Sequence, residues 1–274
     1  MSAELNFGVI IPTFNNDRTL EKVLLSTLEY TANIIVVNDG STDRTGAILE
    51  RYRGKIDILT HARNLGKGAA LRSGLKRAEE LGYEFAITLD SDGQHFPADI
   101  PKFLEKAISG RDILVIGNRN MTAESIPKSS KFGRKFSNFW VKLETGRELM
   151  DTQSGYRLYT VSKINRFRFF TVKYDFELES LIRWVWRDYP VEIVPVDVCY
   201  PTQEERVSHF RRFEDNLRIS LLNTVLVTLS LFYFWPGHLI RVAFRKIKKA
   251  SREMRSNRVG HGNGDRARLT RAGD

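Results

Sequence analysis

The chain has 274 residues, of which 42% are hydrophobic and 28% charged, enough for one large globular domain and an appendage. Its single cysteine, Cys199, excludes an internal disulfide and favours a reducing compartment. The N-terminus has neither the basic stretch nor the apolar core of a secretory signal, so we expect the main domain in the cytoplasm.

The net charge of +10 is concentrated at one end of the chain. Residues 241–274 carry eleven Lys and Arg against three Asp and Glu, whereas the remainder is nearly neutral. A basic segment that follows an apolar stretch is typical of contact with anionic lipid. No motif for reading nucleic acid accompanies the charge, so we expect no nucleic-acid partner.

Short apolar runs alternate with helical patterns through the first half of the chain. The runs are rich in Ile and Val, which predicts strands at Phe7–Ile11, Ile34–Val37, Ile56–Leu59, Phe85–Leu89 and Ile113–Ile116. Helical spacing predicts helices at Leu20–Leu28 after an N-cap at Asp17, at Thr42–Tyr52, and at Ala69–Leu81. This alternation predicts an α/β fold with a doubly wound, mostly parallel sheet, helices on both faces, and ligands at the carboxyl ends of the strands.

The second half is less regular. We expect a polar loop at Met121–Lys131, helices at Phe132–Leu143 and Phe176–Trp186, and a strand at Val191–Val198. The main domain is predicted to cover residues 1–215, followed by apolar and basic helices at 216–250 and a disordered basic tail at 251–274.

The run Ile219–Trp235 has no charged residue, and Pro236–Gly237 is expected to end its helix. Its seventeen residues fall slightly short of the roughly 20 that span a membrane. A buried core helix, an interfacial or partly inserted helix, and a full span all remain open. We favour attachment to one face of the membrane, with the basic residues on anionic head groups.

Asp90 and Asp92 follow an apolar strand two residues apart. In an extended chain such residues project to the same side, where two carboxylates repel unless a cation joins them. Oxygen ligands favour Mg²⁺ or Mn²⁺, which acts as a Lewis acid on a departing diphosphate. The run Asp-Ser-Asp-Gly is equally good turn chemistry, so the segment alone leaves a metal site and a plain turn open.

Three other polar loops follow predicted strands: Pro12–Asn16, Asn38–Asp43 and His61–Gly68. Asp39 could accept a hydrogen bond from the imino N–H of uracil or guanine. The third loop adds cations and glycines, but its glycines do not have the spacing of a Walker loop. The chain also has no G-x-G-x-x-G pattern, so a nicotinamide cofactor is not expected.

Four segments, in order and spacing, resemble family-2 glycosyltransferases with the GT-A fold: Val9–Asn15, Val36–Asp43, Asn64–Gly68 and Asp90–His95. Gln94-His95 and Asp151–Leu158 resemble, within that family, dolichol-phosphate mannose synthases and related polyprenyl-phosphate glycosyltransferases. The match covers roughly the first 210 residues.

The resemblance implies a role for each matching position. Asp90, Asp92 and Gln94 would hold the metal, and Asp92 would also be catalytic. The nucleotide would be bound by Pro12, Phe14, Asp39, Lys67, Asp90 and Arg206.

Arg119 and Arg134 stand where the resembled synthases bind the acceptor phosphate, and Asp151 and Asp175 are further catalytic candidates. For a hydroxyl acceptor, Asp151, Asp175 and Glu177 are the candidate general bases. The chain departs from the pattern after Arg206, where Val-Ser-His-Phe replaces Gly-x-Ser-Lys, and it lacks two clear spanning helices.

We therefore expect an inverting, metal-dependent transferase that moves a sugar from a UDP- or GDP-linked donor to a lipid acceptor, a polyprenyl phosphate. It would work at the cytoplasmic face of the membrane as a peripheral or monotopic protein. Two alternatives remain: transfer to a hydroxyl of a glycolipid or polysaccharide, and a membrane-bound module that binds a nucleotide sugar without turnover.

Overall fold

The structure, a computed structural model, describes residues 5–108, 112–120, 128–173, 175–199 and 212–237, together with Leu239. The chain divides into two compact units, Met1–Thr224 and Val225–Asp274. The predicted boundaries at residues 215 and 250 remain predictions. The tail at 251–274 lies outside the described residues.

The first unit is built on a seven-stranded sheet in the order β3-β2-β1-β4-β6-β5-β7. Of the seven described strands, only β6 is antiparallel, and it pairs with both β4 and β5. The predicted α/β fold with a mostly parallel sheet is therefore confirmed. The strands are β1 Phe7–Thr13, β2 Ile34–Asn38, β3 Asp57–Thr60, β4 Phe85–Thr88, β5 Leu114–Arg119, β6 Arg157–Thr160 and β7 Val191–Val196.

Eight α-helices are described. They are α1 Leu20–Leu28, α2 Thr45–Glu50, α3 Lys67–Glu80, α4 Ile100–Ile108, α5 Lys128–Thr145, α6 Val161–Ile164, α7 Phe176–Trp186 and α8 Arg212–Leu229. A 3₁₀ turn at Pro97–Asp99 precedes α4, and a π-helical segment at Ser230–Phe234 follows α8.

Helices cover both faces of the sheet because alternate residues of a strand point to opposite sides. Val9 and Ile11 of β1 are buried in the same apolar cluster as Leu24 of α1. Ile10 points to the other face, where a Cβ on Gly74 of α3 would come within 2.4 Å of its side chain. Glycine thus lets α3 pack closely against β1.

The cap of α1 and the start of α2 differ from the prediction. Helix α1 spans Leu20–Leu28 as predicted, but its N-cap is Thr19 and not Asp17, whose carboxylate instead pairs with Arg44 at 3.0 Å. Helix α2 begins at Thr45 because the preceding backbone is engaged elsewhere: the N–H of Thr42 donates to the side chain of Asn15 at 2.7 Å.

Other differences lie in the second half of the chain. The predicted loop at Met121–Lys131 is too long, since α5 begins at Lys128; residues 121–127 are outside the described part. Pro236–Gly237 does not end the C-terminal helix, which continues through Gly237. The π-helical segment lies in the turn before Pro236. Proline has no main-chain N–H, so a regular α-helix would lack one hydrogen bond in this turn.

Candidate active site

The polar loops after β1, β2 and β4 meet at the carboxyl edge of the sheet, as their positions predict. The amide of Asn16 donates to the main-chain oxygen of Ser91 at 2.7 Å and to its hydroxyl at 3.0 Å. Asn15, with a left-handed φ of 45°, links the first loop to the second through Thr42. The three loops therefore form one surface.

Asp39 is buried at the end of β2 and organises the loop before α3. Its Oδ1 accepts from the N–H of Leu65 at 2.9 Å and lies 2.7 Å from His61 Nδ1, and its Oδ2 accepts from the N–H of Gly66 at 2.8 Å. A carboxylate has about four acceptor positions, so Oδ2 retains capacity for another donor. Nearby, Pro12 is buried within β1 and Phe14 is half-buried just beyond it.

The turn that carries the carboxylate pair differs from its predicted geometry. Strand β4 ends at Thr88, so Asp90 lies two residues beyond the strand and Asp92 lies in a turn. The rule for extended chains therefore does not set the directions of the two side chains. Asp92 Oδ1 accepts from the N–H of Gln94 at 3.0 Å, and Gly93 has a left-handed φ of 74°. The segment therefore forms a turn and also carries the two carboxylates that a metal site would need.

Lys67, the first residue of α3, lies between two carboxylates. Its Nζ is 2.7 Å from Asp90 Oδ1 and 2.8 Å from Glu177 Oε1. Burial alone would lower the pKa of Lys67, but Asp90 and Glu177 together raise that pKa above its ordinary value. For Asp90, burial opposes ionisation, yet the Lys67 charge holds its pKa below the ordinary value. Lys67 and Asp90 are therefore both ionised at neutral pH.

Gly155 lies against this ion cluster. A Cβ at Gly155 would come 2.7 Å from Glu177 Oε1, 2.9 Å from Asp90 Oδ2 and 3.0 Å from Lys67 Nζ. These separations are shorter than van der Waals contact, so a side chain at this position would displace the charged groups. The loop before β6 is therefore part of the site.

Arg119 and Arg134, the two predicted phosphate ligands, lie together. Arg119 at the end of β5 forms a bidentate pair with Asp151, with distances of 2.7 and 2.8 Å. Arg134 on α5 donates to the main-chain oxygen of Arg119 at 3.0 Å and to Asn118 Oδ1 at 2.7 Å. Burial would raise the pKa of Asp151, but its bonds with Arg119 lower it overall.

His95 connects the two groups electrostatically. Burial lowers the pKa of His95 to about 4, with Asp90 opposing the shift and Arg119 reinforcing it, so the ring is neutral near pH 7. The ring lies 5.2 Å from that of Tyr156, and the residue pairs with Val198 just beyond β7. The charges of Asp90 and Arg119 thus both affect the protonation of His95.

A family comparison identifies the class of protein. The model of glycosyl transferase family 2 matches residues 8–168, more than half of the chain. The chain belongs to this family. It is therefore a glycosyltransferase, and the site described above lies almost wholly within the matched segment.

Two of the curated relatives of this glycosyltransferase have names that include a polyprenyl-type lipid. It is 31% identical over 175 residues to a UDP-N-acetylglucosamine–dolichyl-phosphate N-acetylglucosaminyltransferase of Methanococcus voltae, covering 57% of this chain and 70% of the relative. It is 27% identical over 201 residues to a polyprenol monophosphomannose synthase of Mycolicibacterium smegmatis, covering 69% and 75%.

A solved structure shares the fold. Glucosyl-3-phosphoglycerate synthase from Mycobacterium tuberculosis, crystallised with Mn²⁺, UDP and glucosyl-3-phosphoglycerate, aligns with a TM-score of 0.62 at 19% sequence identity, covering 83% of this chain and 80% of that one. The same enzyme has been crystallised with Mg²⁺ and UDP. The similarity confirms the GT-A-type architecture.

The turn after β4 supplies the oxygen atoms that a hard divalent cation prefers. Among the described residues, no three His, Cys, Asp or Glu side chains cluster around a common point. A metal would therefore rely on Asp90, Asp92 and the Gln94 amide. So few protein ligands suit Mg²⁺ or Mn²⁺, which keep several positions for water and phosphate. The donor set fits such an ion.

Arg157 is a site residue that the sequence reading missed. Its side chain is fully buried and donates to the main-chain oxygens of Thr152, Ser154 and Glu177. It therefore fixes the 151–155 loop to α7 through carbonyl dipoles. A charged residue inside a short apolar run, Tyr156–Tyr159, was the available signal.

The roles of two predicted site residues rest on the sequence alone. Asp175 precedes α7, and its Oδ1 accepts from the N–H of Lys173 at 3.0 Å. Arg206 lies outside the described residues. The catalytic role of Asp175 and the diphosphate role of Arg206 remain predictions.

Proposed function

We propose that this glycosyltransferase moves a sugar from a nucleoside diphosphate to a polyprenyl phosphate at the cytoplasmic face of a membrane. The observation that carries the proposal is the pair Arg119 and Arg134, which lie together at the end of β5, where the charge of Arg119 also lowers the pKa of Asp90. Arginine binds phosphate through forked donors, and two fixed guanidinium groups suit a phosphate monoester. Relatives that act on dolichyl and polyprenyl phosphates support the same acceptor.

The donor would occupy the carboxyl edge of the sheet. Pro12, Phe14 and Asp39 would bind the base, with the remaining capacity of Asp39 Oδ2 facing an imino N–H. Lys67 and Arg206 would contact the diphosphate. A divalent metal held by the β4 turn would supply Lewis-acid stabilisation of the departing diphosphate.

The acceptor needs little activation. A phosphate monoester is largely ionised near neutral pH, its second pKa being about 6, so a single in-line displacement with inversion requires no general base. Asp151 then serves to orient Arg119. Its lowered pKa makes it a weak proton acceptor near pH 7, which favours this reaction over transfer to a hydroxyl.

Membrane attachment is part of the proposal. Within the described residues, one helix, Ser220–Gly237, is long and apolar enough to cross a membrane by length and composition alone. The basic residues at 241–274 follow it directly in sequence. We propose that the helix lies in or partly enters the membrane surface, with the basic residues on anionic head groups.

The test is transfer of radiolabelled sugar from a panel of UDP- and GDP-sugars to polyprenyl phosphate in detergent, with and without Mg²⁺ or Mn²⁺. Metal-dependent, organic-extractable label that disappears in Asp92→Ala is the expected result. Nucleotide-sugar hydrolysis without lipid labelling would favour a hydroxyl acceptor. Neither hydrolysis nor transfer would favour the non-catalytic binding module.

The acceptor site is tested with a matched pair of variants on α5. Arg134→Gln is expected to raise the KM for polyprenyl phosphate about tenfold or more, because a charge-assisted hydrogen bond is worth about 1.5–3 kcal/mol. Lys142→Gln removes the same charge from an exposed position and should leave KM unchanged. Equal KM values for both variants would contradict the phosphate role of Arg134.

A further inference from the structure

The position of Lys67 depends on two carboxylates. As the first residue of α3, it places a positive charge at a helix N-terminus, which the helix dipole opposes. Its side chain is only 17% exposed, and the ammonium is compensated by Asp90 and by Glu177, the latter 9% exposed. Glu177 therefore helps to neutralise Lys67 next to Asp90, a proposed metal ligand.

Two contacts hold Glu177 in position beside Lys67. Its main-chain oxygen accepts from the buried guanidinium of Arg157, and Gly155 lies directly against its carboxylate. Because Glu177 and Asp90 share one ammonium group, neither carboxylate is the sole partner of Lys67.

We propose that Glu177 is a positioning residue for the metal site: by sharing Lys67, it keeps the Asp90 carboxylate available to a divalent cation. This rests on the metal site of the proposed function. The formal charges at the site are three negative, from Asp90, Asp92 and Glu177, and one positive, from Lys67. The excess of two negative charges is the charge that a divalent ion neutralises. Without the Glu177 charge, Lys67 loses one of its two described carboxylate partners and binds Asp90 more tightly, so an incoming cation has to compete with the ammonium group.

The test is the affinity of the full chain for Mn²⁺ alone, measured from the electron paramagnetic resonance signal of free Mn²⁺, without nucleotide or turnover. Glu177→Gln preserves the size of the side chain and is expected to weaken Mn²⁺ binding about tenfold. In a Lys67→Met background the same change should weaken binding only about twofold, because the competing ammonium is gone. Equal factors in the two backgrounds, or no weakening with Lys67 present, would overturn the proposal.

Two control variants separate the possible failures. Glu192→Gln removes a carboxylate from a surface pair with Lys106 and should not change Mn²⁺ affinity. Asp92→Ala should abolish binding; if it does not, the proposed metal site fails and the role of Glu177 fails with it. Loss of binding in Asp92→Ala with unchanged affinity in Glu177→Gln would overturn the role of Glu177 alone.

A further variant keeps the proposal testable if Glu177→Gln does not fold. Lys67→Met by itself is expected to tighten Mn²⁺ binding, since it removes the cation that shares Asp90. Unchanged or weaker binding in a folded Lys67→Met protein would overturn the proposal. Thermal melting of each variant establishes that it is folded.

Discussion

The carboxylate of Asp151 accepts three hydrogen bonds from a single residue, Arg119. The main-chain N–H donates at 2.9 Å, and the guanidinium donates through Nε at 2.8 Å and Nη2 at 2.7 Å. Asp151 is fully buried and has a left-handed φ of 54°, so the loop before β6 presents its carboxylate to the end of β5. One proposed phosphate ligand is thus fixed in place before any acceptor arrives.

Replacing Asp151 by Asn should destabilise the protein strongly. Removing one member of a buried ion pair leaves an uncompensated charge, here that of Arg119, at a cost of about 3–5 kcal/mol. Denaturant unfolding at pH 7 measures the loss. Asp112→Asn, which affects a partly exposed pair with Lys163, should cost less than about 1 kcal/mol.

The same pair predicts how stability depends on pH. Burial opposes ionisation of Asp151, but Arg119 lowers its pKa below the ordinary value of 3.8. The pair's contribution is therefore present above that value and is lost as the pH falls through the lower pKa of the folded protein. The stability difference between wild type and Asp151→Asn should narrow below about pH 4. A difference that stays constant into acid would contradict the assignment.

Glu144, near the C-terminal end of α5, should respond to pH in the opposite direction. Its side chain is fully buried, and burial raises the pKa of its carboxyl group to about 8. The folded protein therefore favours the protonated acid, and the contribution of Glu144 to stability is greatest below the ordinary pKa of 4.5. This contribution falls as the pH rises toward about 8 and then levels off.

Glu144→Gln should remove this dependence, because the amide imitates the protonated acid. The melting temperature of the variant should exceed that of wild type at pH 8, and the two should converge near pH 4.5. Glu148→Gln, at an exposed position in a surface pair with Lys142, is the matched control and should shift neither curve. A lower melting temperature for Glu144→Gln at pH 8 would contradict the prediction.

Several strands and helices were predictable because their sequence patterns are strong. The helix Phe176–Trp186, for example, has both ends where the pattern predicts them. The pattern does not predict strand β6, because this strand begins with the buried charge of Arg157 and not with an apolar residue. It also runs antiparallel between β4 and β5, outside the alternation of parallel strands and helices.

The candidate site was predictable in its parts but not in its contacts. The rule that ligands bind at the carboxyl ends of parallel strands brings Asp39 and Asp90 to one edge. It gives no means of placing Glu177 against Lys67, since those residues lie far apart in sequence and meet only when α7 packs beside α3. Pairing of a lysine with a carboxylate depends on tertiary packing, which local patterns do not encode.

The basic C-terminal segment should bind anionic membranes in a salt-dependent way. Each Lys or Arg near an anionic surface contributes about 1 kcal/mol, and the interaction is screened within a Debye length. Sedimentation with vesicles measures it: binding should require phosphatidylserine and fall as salt is raised. Three substitutions to Gln should weaken the binding: Lys246, Lys248 and Lys249.

A control set of three substitutions removes the same charge from the first unit, Met1–Thr224. Three exposed lysines serve for this purpose: Lys22, Lys55 and Lys76. Their replacement by Gln should leave vesicle binding almost unchanged if the segment after residue 240 makes the contact. Equal losses for the two sets would show that net charge alone determines the binding and would contradict the proposed attachment.

Gly155→Ala should damage catalysis more than stability. The added Cβ would lie 2.7 Å from Glu177 Oε1 and 3.0 Å from Lys67 Nζ, so the ion cluster must shift while the surrounding sheet stays in place. A displacement of about 1 Å in a reacting site costs about a hundredfold in rate, and we expect a loss of that order in kcat/KM. Steady-state kinetics and thermal melting, measured on the same sample, separate the two effects.

Gly46→Ala is the matched control, because nothing lies within 4 Å of a Cβ at this position in α2. Alanine is favoured over glycine inside a helix by about 0.5–1 kcal/mol, so this variant should melt slightly higher and keep full activity. If Gly155→Ala instead kept wild-type kcat/KM, the cluster of Lys67, Asp90 and Glu177 would tolerate displacement. That result would exclude a close geometric requirement at the cluster.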